Sequence, residues 1–180
     1  MAANLQHLPF RDPESDLFQV IIETPKGSRN KYSYDAQRAL FTLKGVLPAG
    51  ASFPFDFGFL PSTLGQDGDP LDVLLLLDEP AFPGCLVLAR IIGVLAVAQT
   101  KEGRTLRNDR FLAVSALSKT HQSLQDIRDL DAHLLDQIEH FFKSYTEEKG
   151  QQFQVTGRHG PKKAADLIKA GGKLFLKGSR

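Results

Sequence analysis

The sequence predicts one α+β domain in which a run of antiparallel strands is followed by helices. A chain of 180 residues is long enough to bury a substantial core. Apolar and β-branched stretches, separated by turn-forming residues, fill the first part of the chain. A helical period appears only after about residue 120. This order of elements favours a small barrel or strongly bent sheet with helices packed outside it.

Strands are predicted where apolar or alternating residues lie between turn signals. These stretches are FQVIIET (18–24), KYSYD (31–35), the second half of AQRALFTLKGV (36–46), LDVLLLLDE (71–79), CLVLARIIGVLAVAQ (85–99) and RFLAVSAL (110–117). Gly93 marks a bulge or bend in the longest of them, and the charged stretch 100–109 is predicted to be a hairpin loop. The Pro-, Gly- and Phe-rich segment 47–63 has no helical period, so we expect an extended loop that packs by its aromatic rings.

Two helices are predicted in the last third of the chain. In LDAHLLDQIEHFFKSY (130–145) apolar residues recur every three or four positions, and Asp129 or Asp131 can cap the start. In GPKKAADLIKAGG (160–172) Pro161 suits a first helical position and Gly171 a C-terminal stop. Residues 1–16 are predicted to form an N-terminal arm, and residues 17–180 a single domain.

Composition and charge narrow the class of protein. With a net charge of +1, the chain lacks the excess of positive charge that is typical of proteins that bind nucleic acid or an anionic membrane. A lone cysteine, Cys85, cannot form an internal disulfide, which fits a reducing compartment. The N-terminus lacks the pattern of a secretory signal, and no apolar run is long enough to span a membrane. We therefore expect a cytoplasmic enzyme or binding module with neither nucleic acid nor membrane as a partner.

The stretch LGQDGDPLDVLLLL (64–77) places Asp67, Asp69 and Asp72 within six positions. Asp-Gly is a common turn, and Asp side chains often cap turns, which is the simpler explanation. The third aspartate stands at the entrance of an apparently buried strand, where an unpaired carboxylate is costly. Carboxylate oxygens select hard cations such as Mg²⁺ or Mn²⁺. The sequence therefore favours a divalent-metal site here, with turn capping as the alternative.

Basic residues at strand edges indicate what such a metal site would act on. Cations held by carboxylates recur where phosphates are handled. Lys31 starts one predicted strand, Arg110 starts another, and Lys44 follows the apolar ALFTL. Each of these side chains could meet an anion, and each could equally be a solvated surface charge.

The segment PFDFGFLPSTLGQDGDPLDVLLL (54–76) resembles the signature region of the soluble, family I inorganic pyrophosphatases, whose pattern ends in D-G-D-P-x-D-V-L. The match continues in register through IIETPKGSRNKYSYD (21–35) and into HFFKSY (140–145), and it covers roughly residues 17 to 150. The resemblance implies an α+β fold with a five-stranded OB-like antiparallel β-barrel, flanking helices and a C-terminal amphipathic helix packed outside. It also implies hydrolysis of inorganic diphosphate (pyrophosphate) to two phosphates by a metal-activated water, in a homo-oligomer that in bacteria is often a hexamer.

The resemblance assigns roles to single residues. Asp67 and Asp72 would bind the activating Mg²⁺, with Mn²⁺ as a substitute, and Glu23 would hold an outer metal. Asp69 would take the proton of the attacking water. The residues that would contact phosphate oxygens are Lys31, Lys44, Arg110 and Tyr145. The family has Arg at the position of Lys44 and Lys at that of Arg110, and these swaps keep the charge while changing the donor geometry.

Several positions depart from the family pattern. Ser33 stands where the family has a glutamate, Gln99 where it has a metal-site aspartate, and Thr146 where a lysine follows the tyrosine. Strict register puts Asn108 at a further ligand position, whereas a slip of one residue would put Asp109 there. Phe53 and Phe57 replace two hydroxyl-donating tyrosines.

These losses remove negative charge from the outer part of the expected metal site. We therefore expect one or two tightly bound metal ions, and weak or altered binding at the other metal positions. A catalytically weak, phosphate-binding relative is the alternative. An OB-type oligonucleotide-binding module is a third hypothesis, which the near-zero net charge disfavours.

Overall fold

The structure, a computed structural model, describes residues 4–178 and confirms an α+β fold. Its strands are β1 (Phe18–Thr24), β2 (Asn30–Asp35), β3 (Leu40–Val46), β4 (Asp56–Leu60), β5 (Leu71–Leu76), β6 (Leu86–Lys101), β7 (Arg104–Arg107), β8 (Arg110–Ser115) and β9 (Gln152–His159). Its α-helices are α1 (Ala132–Glu147) and α2 (Pro161–Gly178). Neither helix combines the length and the apolar character that crossing a bilayer requires.

Five strands pair into a ring that is consistent with the expected OB-like fold. β1 pairs with β4, β4 with β5, β5 with β8, β8 with β6, and β6 returns to β1. Four of these pairings are antiparallel, but β5 and β8 run parallel, which corrects the expectation of a wholly antiparallel ring. Outside the ring, β7 and β9 extend the sheet from β6, and β2 pairs with β3 as a separate hairpin.

The strand β4 replaces part of the loop that the sequence predicted for residues 47–63. Phe55, Phe57 and Phe59 alternate with a period of two, which is a strand pattern that the surrounding Pro and Gly residues obscured. All five residues of β4 are buried. At Gly58 the backbone of β1 comes so close that an added Cβ would lie 2.0 Å from the carbonyl oxygen of Ile21. Only glycine therefore allows β4 to take its central place beside β1.

Substituting Gly58 by alanine is expected to destabilise the protein by at least about 2 kcal/mol, because backbone atoms of β1 must shift to relieve the overlap. The free energy of unfolding from urea denaturation measures this effect. Gly45→Ala is the matched control, because Gly45 lies in β3 with nothing within 4 Å of its added Cβ. Equal losses of stability in the two variants would contradict the prediction.

The two helices pack on different parts of the core. Asp131 caps α1 by accepting hydrogen bonds from the backbone N–H groups of His133 and Leu134, and the predicted apolar stripe faces the sheet. The predicted end of α2 at Gly171 is wrong, since the helix continues to Gly178. Gly171 lies inside α2 because the side chain of Leu71 packs directly against it.

Other parts of the chain complete the ring and its surroundings. Gly93 lies at a register shift between β6 and β8, which confirms the predicted bulge. The strand β9 had no counterpart in the predicted elements. In the N-terminal segment, Arg11 pairs with Phe18, and Leu5 and Leu8 pack near Ile21. The first three residues of the predicted arm lie outside the described range.

Candidate functional site

A cleft of about 230 Å³ opens where the ring meets the end of α1. It brings together side chains from distant parts of the chain, including four carboxylates and three basic groups. These groups are Glu23, Asp67, Asp69, Asp72, Lys31, Arg110 and Lys149. The cleft therefore collects most of the charged residues that the sequence singled out, together with one that it did not.

The loop between β4 and β5 carries Asp67 and Asp69. Gly68 between them has φ of +90°, a conformation that side chains rarely adopt. The backbone N–H of Asp69 donates to Oδ1 of Asp67 at 3.2 Å, and its carbonyl accepts from the N–H of Gly65 at 2.8 Å. Asp67 therefore does cap a turn, but the carboxylate of Asp69 is left free of the turn. Both side chains are exposed at the cleft, not buried in the core.

Asp72 and Arg110 form an ion pair that the strand register dictates. They are direct partners in the parallel pairing of β5 with β8, and Nη1 of Arg110 lies 2.7 Å from Oδ2 of Asp72. Arg110 is only 6% exposed, and its Nε has no hydrogen-bond partner. The side chain of Asp72 is 22% exposed toward the cleft. The sequence expected Asp72 to need a metal cation as its partner, and the structure shows that a protein cation also meets part of that need.

Asn108, and not Asp109, lines the cleft. The carboxylate of Asp109 is engaged elsewhere, because Oδ1 accepts from the N–H of Val97 at 3.0 Å and Oδ2 pairs with Nε of Arg107 at 2.7 Å. The side-chain amide oxygen Oδ1 of Asn108 accepts a hydrogen bond from Nη1 of Arg110. This arrangement leaves an uncharged amide at the cleft.

A chain of amides continues behind Arg110. Nδ2 of Asn108 donates to Oε1 of Gln99 at 3.0 Å, and Nε2 of Gln99 donates to Oε1 of Gln151 at 2.6 Å. Gln151 was not predicted, because its position depends on the pairing of β9 with β6, which brings the start of β9 beside Gln99. These amides hydrogen-bond to one another and add no negative charge to this side of the cleft.

Glu23 and Lys31 form the opposite side of the cleft. Oε1 of Glu23 accepts from the N–H of Tyr34 at 2.7 Å and from the hydroxyl of Ser33 at 3.0 Å. Nζ of Lys31 lies 3.7 Å from Oε2 of Glu23 and 4.0 Å from the ring centre of Phe57. Phe57 therefore provides an aromatic face for this cation instead of a hydroxyl group. Ser33 supports Glu23 and adds no carboxylate.

Burial and mutual repulsion raise the pKa values of three carboxylates in the cleft. Loss of hydration and the nearby charges of Asp72 and Asp69 raise the pKa of Asp67 to about 6. Burial raises the pKa of Glu23, against the opposing charge of Lys31. Loss of hydration and the charge of Asp72 raise the pKa of Asp69. A hard divalent cation would relieve each of these shifts, so the oxygen-rich donor set fits such an ion.

The carboxylates do not by themselves enclose an ion. Within residues 4–178, no three His, Cys, Asp or Glu side chains are arranged to hold one metal. An ion at this site would therefore also need water molecules, substrate oxygens or the Asn108 carbonyl. That requirement agrees with the coordination of Mg²⁺ in proteins, because Mg²⁺ usually keeps several water ligands and binds through one or two carboxylates.

Binding of Mg²⁺ is expected to release protons at pH 6 and fewer at pH 8. With the pKa of Asp67 near 6, part of the metal-free protein is protonated there at pH 6, and the cation displaces that proton. Calorimetric titration in buffers of different ionisation enthalpy measures the release, which Asp67→Asn should reduce. Equal release at both pH values would contradict this. For the same reason, the contribution of Asp67 to metal-free stability is greatest at low pH and is lost as the pH rises through about 6.

The C-terminal end of α1 supplies Tyr145 and, four residues later, Lys149. Tyr145 stacks on Phe141, and burial raises the pKa of its hydroxyl group. Thr146 is buried at 3% exposure. Lys149 was missed from the sequence, although its spacing of four from Tyr145 places it on the same side of the helix end. Lys44, by contrast, is exposed on β3 outside the cleft lining, and its charge acts on Asp69 from there.

The chain matches the family model described as inorganic pyrophosphatase over residues 20–175. It is 38% identical over 154 residues to an inorganic pyrophosphatase of Synechocystis sp., which covers 86% of this chain and 88% of that protein. It is 37% identical over 171 residues to one of Thermus thermophilus, which covers 93% and 95%. The crystal structure of inorganic pyrophosphatase from Thermus thermophilus superposes with a TM-score of 0.87 at 36% identity, covering 97% of this chain and 99% of that one. That from Neisseria gonorrhoeae gives 0.85 at 30% identity, again covering 97% and 99%.

Proposed function

The chain belongs to the inorganic pyrophosphatase family, and on that basis we propose that it hydrolyses inorganic diphosphate to two phosphates. Family membership over most of the chain is the observation that carries this function. The cleft supports it, because carboxylates for a divalent cation and basic groups for phosphate oxygens line one cavity. The D-G-D-P-L-D stretch that carried the resemblance supplies three of those four carboxylates.

The metal, Mg²⁺ or Mn²⁺, would be held by Asp67 and Asp72, with Glu23 further out through water. Bound there, such an ion would lower the pKa of a water molecule and screen the charge of the diphosphate. Asp69 takes the proton of the attacking water, since its carboxylate is free of the loop's hydrogen bonds. Lys31, Arg110 and Tyr145 bind phosphate oxygens, and the charges of the two basic residues stabilise the leaving phosphate.

The outer part of the metal site is altered in this chain. Ser33, Gln99 and Asn108 are neutral, and each is hydrogen-bonded to a neighbouring protein group. Arg110 already neutralises part of Asp72. Both features lower the demand for further cations, so we place one or two tightly held ions in the cleft and assign Asn108, not Asp109, to its edge.

Restoring carboxylates is expected to increase the number of bound ions. The double variant Gln99→Asp/Asn108→Asp adds two negative charges beside Arg110 and should bind at least one more Mn²⁺ per chain than the unchanged protein. Counting bound Mn²⁺ by electron paramagnetic resonance tests this directly. Gln154→Asp is the control, because Gln154 is exposed on β9 outside the cleft. An unchanged ion count in the double variant would show that the amides do not limit metal binding.

The proposed activity is tested by phosphate release from diphosphate in the presence of Mg²⁺ or Mn²⁺. Release that requires the divalent ion is expected. Absence of release with every divalent ion tried would reject the function. Calorimetric binding of diphosphate without turnover would instead identify a phosphate-binding relative.

We further propose that the protein is cytoplasmic, forms a homo-oligomer and has neither nucleic acid nor membrane as a partner. Leu40, Leu43 and Val46 expose more than half of their surface on β3, which supports an apolar contact between copies. The near-zero net charge argues against nucleic acid. Light scattering coupled to size-exclusion chromatography tests the assembly, and a monomer at micromolar concentration would contradict it.

A further inference from the structure

Lys149 is a cation in the cleft without an anionic partner. Its ammonium donates to the Tyr145 hydroxyl and lies 4.0 Å from the centre of the Tyr145 ring. Within the described residues 4–178, it takes part in none of the ion pairs. Lys149 is exposed at the rim of the cleft, and its ammonium contacts Tyr145 and no carboxylate of the described residues.

The neighbouring charge that affects the pKa of Lys149 is positive. Burial, and after it the charge of Arg110, lower the pKa of the Lys149 ammonium. Arg110 also lines the cleft, where its guanidinium lies over the ring of Phe142 in α1 and its own partner Asp72 is 2.7 Å from Nη1. Lys149 and Arg110 therefore both line the cleft as cations. Without an anion between them the arrangement is unfavourable, and with one it becomes a binding site.

The position of Lys149 after the last turn of α1 has a simpler explanation, which does not suffice. A lysine there interacts favourably with the C-terminal end of the helix dipole. That interaction requires only that the ammonium lie near the last carbonyl groups. The side chain instead reaches the Tyr145 hydroxyl and lines the cleft. Its direction is thus better explained by what binds in the cleft.

We propose that Lys149 binds a phosphate oxygen of the diphosphate at the rim of the cleft, beside Tyr145. This inference rests on the proposed function and adds a residue to its substrate site. Thr146, where the family has a lysine, is buried and carries no charge. Lys149 replaces that lysine from one helical turn further along. The Tyr145 hydroxyl, the Lys149 ammonium and the Arg110 guanidinium then converge as donors on one phosphate group.

This donor group makes one phosphate subsite independent of the metal. Its cations are held by the protein, and the amides behind Arg110 keep that guanidinium in place. Inorganic phosphate should therefore bind there even when no divalent ion is present, which gives a readout that does not depend on turnover.

Calorimetric binding of inorganic phosphate in EDTA, together with KM and kcat for diphosphate, tests the role of Lys149. Lys149→Met keeps the length of the side chain and removes its charge. We expect it to weaken phosphate binding and raise KM by roughly 10- to 100-fold, as for loss of a hydrogen bond to a charged group. Lys149→Arg should recover most of both. Lys143→Met is the control, because Lys143 is exposed and pairs with Glu147 away from the cleft.

The outcomes separate this inference from the proposed function. Hydrolysis by the unchanged protein with phosphate affinity and KM unaffected in Lys149→Met would overturn the inference and leave the function standing. Binding of phosphate that depends on Lys149, in a protein that does not hydrolyse diphosphate, would support the inference and reject the function. No binding of phosphate by the unchanged protein in EDTA would overturn the metal-independent subsite.

Discussion

Replacing Asp69 by asparagine is expected to lower kcat for diphosphate by roughly 10²- to 10⁴-fold, the usual cost of losing a general base. The carboxylate is the group that accepts the proton of the attacking water, and an amide cannot do so. The loop should remain folded, because it uses the backbone groups of Asp69 and the side chain of Asp67. KM should change little, since Asp69 acts on the water and does not hold the substrate.

Steady-state kinetics and the melting temperature should be measured together for this variant. Asp166→Asn is the matched control, because Asp166 is exposed on α2 and does not line the cleft. The control should keep its activity within about twofold, as expected of a surface change. A loss of kcat below tenfold in Asp69→Asn would remove Asp69 from the proposed role.

Replacing Asp72 by asparagine is expected to affect both activity and stability. It removes a carboxylate from the metal site, so kcat should fall by at least roughly 10²-fold. It also leaves the guanidinium of Arg110, which is 6% exposed, without its counter-charge. Breaking a buried pair costs about 3–5 kcal/mol. Partial exposure of Asp72 and the rings of Phe142 and Phe153 near Arg110 should reduce the loss to about 2 kcal/mol.

Urea denaturation in EDTA isolates the effect on Arg110, because no metal then contributes to stability. Glu147→Gln breaks an exposed pair with Lys143 and should cost at most about 0.5 kcal/mol. The double variant Asp72→Asn/Arg110→Met removes both charges and should recover much of the lost stability without recovering activity. If Asp72→Asn were as stable as the unchanged protein, Arg110 would not depend on this ion pair.

The features that were predicted correctly depend on local sequence. The turn at Gly68, which was the alternative explanation of the aspartates, the cap at Asp131, one of two candidates, and the bulge at Gly93 each follow from the conformational preferences of a few neighbouring residues. The apolar stripe of α1 is likewise a local pattern. Where a local sequence pattern gave a wrong prediction, contacts with distant residues determine the structure. Gly171 predicts the C-terminal end of a helix. Helix α2 nevertheless continues past it, with Leu71 packed against the backbone there.

The composition of the cleft could be predicted only in part for the same reason. The aspartates and Lys31 follow from a motif that can be read in the sequence. The choice between Asn108 and Asp109 depends on where the backbone turns before β8, and the carboxylate of Asp109 is bound by Val97 and Arg107. Gln151 reaches the cleft through the pairing of β9 with β6. Contacts between residues that are far apart in the chain cannot be predicted directly from a single sequence.

The parallel pairing of β5 with β8 makes the cleft a late product of folding. β6 and β7 lie between these strands in the chain, and the groups at the end of α1 are synthesised later still. Contacts between such distant segments form slowly because a long loop must close first. A nascent chain that has left the ribosome only as far as β5 carries the aspartates without Arg110 or Lys149. Turnover therefore reports that the ring has closed, and during refolding it should recover only after the bulk of secondary structure has formed.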